Sequence, residues 1–190
     1  MRVTSALVLA IALTGCGTRP YLDLREPMYL VPKKSFWTGC EKHPLGPQVC
    51  RMRRVAEVFN GVYEWFRYFH PDHRPKVVLV LSVENLPANS FNELIYLAVD
   101  KNGCGKDAEA CYNYRWYRET QIVFVSIGQI GNAMAHEFGH VLGRDDNDVP
   151  EGVFSVMSYD KHSRVTRRDF AMMCRKHHEC WDLLSRPRRK

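Results

Sequence analysis

The stretch His136-Glu137-Phe138-Gly139-His140 places two imidazoles four residues apart, with a carboxylate directly after the first. On an α-helix, residues four apart lie on one face, one turn above the other. Two imidazoles so placed can hold a single Zn²⁺, for which neutral imidazole nitrogen is a good ligand. Glu137, one residue on from the first imidazole, then points toward the open side of the metal, where a carboxylate can take a proton from bound water. The bland alternative is an ordinary helix with two exposed or core histidines. Three fixed residues arise by chance often enough that the pentapeptide alone does not decide.

The continuation adds weight. After His140 the chain reads Val141-Leu142-Gly143-Arg144-Asp145-Asp146, and further on Phe154-Ser155-Val156-Met157-Ser158-Tyr159. A glycine at 143 lets the backbone reverse, which returns a third ligand toward the metal. The extended HExxHxxGxx pattern followed by a methionine turn resembles the metzincin clan of zinc metalloproteases. The Ser-Val-Met-Ser-Tyr stretch is similar to the turn of serralysin-type members. The resemblance rests on residues 136–159. It implies a single small zincin-type α+β domain: a twisted mixed sheet whose edge strand holds extended substrate, an active-site helix and a C-terminal helix.

The resemblance also implies a peptidase with Zn²⁺ as cofactor and a protein or peptide as substrate. Glu137 would be general base and then general acid. Met157 would form the hydrophobic floor beneath the metal, and Tyr159 would stabilise the oxyanion; plain packing is the alternative for both. One position departs from the common pattern. Most members of the clan have His as third ligand, where this chain has Asp146; snapalysin-type members have Asp there. A carboxylate is an acceptable zinc ligand, but with two neutral His it leaves a site charge of about +1 rather than about +2, so bound water should be less acidified. Asp145, Asp148 and His162 are the other residues placed to serve as third ligand.

These residues need elements to position them. Val55, Val58, Phe59, Val62, Trp65, Phe66 and Phe69 recur at helical spacing, with Arg54, Glu57, Asn60, Glu64 and Arg67 mostly opposite. His70-Pro71 ends that helix, and His70 and His73 read as surface loop residues. Runs at 76–83, 94–99 and 120–127 read as strands. Tyr112, Tyr114, Trp116 and Tyr117 lie between the last two, as an edge strand lining a cleft or as packing. The metal-binding helix spans about 128–142, with Ser126 and Gln129 as a capping box and Gly143 as its stop. A last helix runs from Thr166, capped by Asp169, through Leu184, with His177 and His178 structural or exposed.

The N-terminus has a different composition. Arg2 precedes an apolar run from Val3 to Leu13, followed by Thr14-Gly15-Cys16. A cationic start, a short apolar stretch and small residues describe an export signal. Leu13-Thr14-Gly15-Cys16 resembles the lipobox of bacterial lipoproteins, which implies cleavage before Cys16 and lipid on that cysteine. Gly17 implies sorting to the outer membrane, with the domain on the periplasmic face or cell surface. The expected organisation is a signal at 1–15, a lipidated cysteine and tether at 16–39, a catalytic domain at 40–185 and a basic tail at 186–190.

Six cysteines remain, and an even number in an exported chain reads as disulfides. Proximity suggests Cys40–Cys50 and Cys104–Cys111, leaving Cys174 with Cys180. Six residues on an unbroken helix rise about 9 Å, beyond disulfide reach, so the helix breaks near His177-His178 or the pairing is less local. The net charge of +6 is concentrated late in the chain, up to Arg186-Pro187-Arg188-Arg189-Lys190. That tail suits an anionic membrane surface or is simply solvated. No nucleic-acid reader motif or nucleophile elbow accompanies it. The competing reading from another class is an envelope-anchored binding or assembly lipoprotein whose zinc site is inactive or structural; the intact Glu137 argues against it, since a structural site needs no base.

Overall fold

Strand β1, Met28–Pro32, is buried at every position, as expected for a strand paired on both sides and covered on both faces. A computed structural model describes residues 22–86, 93–106, 108–114, 119–146, 154–158 and 164–185. Four further strands follow: β2 (Val77–Leu79), β3 (Glu93–Val99), β4 (Ala110–Tyr114) and β5 (Glu119–Phe124). They form one mixed sheet in the order β2-β1-β3-β5-β4. All neighbours are parallel except β4, which runs antiparallel to β5 at the sheet's edge. The chain is thus a small α+β domain.

Alternation along the strands divides the core. Met28, Leu30, Ile95, Leu97, Ile122 and Phe124 face the helices in the main cluster. Tyr29, Val31 and Leu94 form a smaller cluster with Val78, Val80 and Tyr96. Helix α1 (Pro47–Phe66) starts on a proline, tolerated in the first turn because its missing N–H has no intrahelical partner there. Its buried stripe of Val58, Val62, Trp65 and Phe66 packs on α2 (Ile130–Val141). The Phe66 and Phe138 rings meet edge to face at 5.7 Å, and the Trp65 indole donates to the Ala135 carbonyl at 2.6 Å.

Several sequence expectations need correction. Residues 22–39 are not a tether: Leu22 and Leu24 are buried, and β1 lies inside the sheet. A stretch with three prolines and little periodicity reads as a tether, but Pro27 and Pro32 flank a short apolar run that the parallel sheet buries. The 76–83 strand shrinks to three residues, and β5 ends at Phe124. Ser126 makes no side-chain cap, because a short 3₁₀ turn, Ile127–Gln129, precedes α2.

The last helix is two. Helix α3 (Arg167–Lys176) carries the Thr166–Asp169 capping box, and α4 (Glu179–Ser185) follows a break at His177, whose backbone is extended. That break lets Cys174 and Cys180 approach to 5.1 Å between Cα atoms, and they are disulfide-bonded. Cys40–Cys50 and Cys104–Cys111 are the other two bridges. Among the described residues no helix is long and apolar enough to cross a membrane. Cys16 and the tail 186–190 lie outside the described residues.

Candidate metal centre

Helix α2 supplies His136 and His140 from one face, their rings 5.0 Å apart. The helix then stops in a Schellman turn. Arg144 N–H donates to the Gly139 carbonyl and Gly143 N–H to that of His140, both at 2.9 Å. Gly143 sits at φ +75°, a left-handed conformation that a side chain would oppose. The reversal brings Asp146 back over the helix. Its Oδ1 lies 3.3 Å from His136 Nε2 and 3.5 Å from His140 Nε2.

The second ring nitrogens fix how the first ones point. His136 Nδ1 is 2.8 Å from the Val156 carbonyl, and His140 Nδ1 is 2.9 Å from the Arg144 carbonyl. A carbonyl can only accept, so each Nδ1 carries a proton, and in the neutral ring each Nε2 then presents its lone pair toward Asp146. Two lone pairs and a carboxylate oxygen converge with no proton among them in the neutral tautomers. That arrangement is repulsive unless a cation sits between, and it suits a metal ion. The three ligand atoms lie within 4.8 Å of one another. Their side chains remain 18–27% exposed, enough for an ion to enter.

The floor of the site is apolar. Met157 is fully buried and lies against α2 at Gly139, where an added Cβ would fall 2.3 Å from its sulfur and 2.7 Å from Trp65. Only a glycine permits that approach. The Tyr112 ring on the edge strand β4 stands 5.6 Å from the His140 ring.

Glu137 is buried, and burial pushes its carboxyl up to about 8, with the nearby Asp146 charge adding to the shift. Burial holds His136 below its ordinary value, partly offset by the bond to Val156. The neutral form is the one that can ligate a metal.

Among the expected ligands, the structure brings His136, His140 and Asp146 together. Asp145 is exposed and does not belong to the cluster. Asp148, Tyr159 and His162 lie outside the described residues. His70 and His73 stand apart at a loop, the latter bonded to the Leu183 carbonyl at 3.1 Å. The orienting carbonyls of Arg144 and Val156 are invisible to side-chain spacing, because any residue type supplies one. The contact of Tyr112 with His140 was foreshadowed only by the aromatic cluster around it. No protein-family model matches the chain, and no curated protein matches it.

Proposed function

We propose that this protein is a zinc-dependent endopeptidase of metzincin type, held in the cell envelope by lipid on Cys16. The observation that carries the reading is the convergence of His136, His140 and Asp146 beside a buried glutamate. Zinc bonds of about 2.0–2.1 Å at tetrahedral angles set neighbouring ligand atoms about 3.3–3.4 Å apart. The measured separations of 3.3 and 3.5 Å fit that edge. When bound, the ion would acidify a water and polarise a substrate carbonyl.

The chain's own groups would do the rest. Glu137, whose environment favours the protonated acid far above the usual carboxylate range, is suited to take a proton and hand it on to a leaving amine, the double role of a general base and acid. The bound cation would draw its pKa back down toward working pH. Strand β4, at the edge of the sheet, would offer backbone groups to an extended peptide, and Met157 keeps the underside dry. Asp146 in place of a third histidine lowers the site's charge. The anchor is supported by the export-signal pattern and lipobox at Leu13–Cys16.

The decisive experiment is cleavage of a diverse peptide mixture by the zinc-loaded chain lacking residues 1–16, beside Glu137→Ala. We expect cleavage by the parent and a loss of at least about 10²–10⁴-fold in the variant, with zinc still bound. A folded, zinc-loaded parent that cuts nothing would shift the protein to the binding-lipoprotein class.

A further inference from the structure

We propose that Asp169 is a positioning residue for His136, acting through a hydrogen-bond relay that crosses the methionine turn. The proposal rests on the metal-site reading above. Asp169 is nearly inaccessible, at 1% exposure, although it opens the C-terminal helix α3. Its two oxygens have separate tasks. Oδ2 accepts from the Thr166 backbone at 2.9 Å and from the Thr166 hydroxyl at 2.8 Å, which completes the helix cap. The cap makes no use of Oδ1, which instead accepts a bond from the Ser155 hydroxyl.

From Ser155 the relay runs to the metal site. Ser155 Oγ accepts the Met157 N–H at 3.0 Å. That N–H shares its peptide unit with the Val156 carbonyl, which accepts the His136 Nδ1 proton at 2.8 Å. The Val156 N–H adds a longer bond to Asp169 Oδ2, at 3.4 Å. Each link polarises the next. The carboxylate strengthens Ser155 as an acceptor, the peptide becomes more polar, and Val156 pulls harder on the His136 proton. Electron density then shifts toward Nε2, the atom that faces Asp146. The same chain fixes the turn's position, and with it the ring's orientation. His140 is oriented separately, by the Arg144 carbonyl.

The two arms can be cut independently. In the full chain, Zn²⁺ affinity is measured by chelator competition, the Co²⁺ form by its visible spectrum, and the metal-free form by urea unfolding. Asp169→Asn should bind Zn²⁺ about 10-fold more weakly and Ser155→Ala about 3-fold, both with altered Co²⁺ spectra. Thr166→Val should lower the urea midpoint yet keep Zn²⁺ affinity within about 2-fold of the parent. Should Asp169→Asn not fold, the Ser155→Ala and Thr166→Val pair still decides. Parent-like affinity and spectrum in Ser155→Ala would reduce Asp169 to a helix cap and overturn the relay. A parent that binds neither ion would instead remove the metal-site reading, and the relay with it.

Discussion

Two places in this protein hold inward-facing histidines next to the C-terminal end of α2, and they use the ring in opposite ways. His136 and His140 each commit Nδ1 to a backbone carbonyl and direct Nε2 at Asp146. His177 commits both nitrogens to carbonyls, Nδ1 to Leu22 and Nε2 to Leu142, each at 3.0 Å. Its neighbour Glu179 accepts from the Leu24 backbone at 2.8 Å. The first pair can offer lone pairs to an ion; His177 instead ties Leu22 to Leu142, at the end of the helix that carries His136 and His140. The direction in which a ring nitrogen is committed therefore marks a candidate ligand better than the presence of histidine does.

The sharpest way to break this contrast is to remove one histidine of each kind. His140→Ala should lower Zn²⁺ affinity by about 10³-fold or more, since it deletes one of the three candidate ligands. His177→Ala should leave the affinity of the folded protein within about 3-fold while costing about 2–4 kcal/mol of stability, from the lost packing and hydrogen bonding of a buried ring. Chelator competition and urea unfolding on both variants read the two effects separately. Equal losses of affinity would erase the distinction.

A pH series on the metal-free protein sharpens it further. Glu137 has its carboxyl raised from 4.5 to about 8 by burial and Asp146. Between those values the unfolded chain has lost a proton that the folded chain still holds. The Glu137 contribution to stability should thus be greatest below 4.5, fall as pH rises and level off above about 8, a loss on the order of a few kcal/mol. Urea midpoints across that range should show the decline in the parent and a flattened profile in Glu137→Gln. An unchanged slope in the variant would place the titrating group elsewhere. The smallest effect is expected at Tyr112, whose ring flanks His140. Tyr112→Leu should cost less than about 1 kcal/mol of stability and leave Zn²⁺ affinity within about 2-fold. A larger drop in affinity would make β4 part of the ligand scaffold.

Some of this was readable from residue order, for a physical reason. Spacing of four on a helix, a glycine that ends it, and Thr166 with Asp169 as a cap are local features, set within one or two turns of chain. Locality also explains the three disulfides between near neighbours. The misreadings were of the other kind. Residues 28–32 read as part of a tether because their partners β2 and β3 lie 45 or more positions away. The break at His177 was one of two possibilities until its ring was seen to bridge Leu22 and Leu142.

By itself, then, the sequence determined which helix carries the two imidazoles and the carboxylate beside them, because helix geometry follows from consecutive residues. Spacing also pointed to Asp146 over Asp145 as the residue to join them, and the fold sets it against both Nε2 atoms; tertiary structure alone decided that Met157 lies against Gly139 and that Asp169 reaches Ser155. Those contacts depend on how separate elements pack and on backbone carbonyls that every residue possesses, and neither leaves a mark in residue spacing.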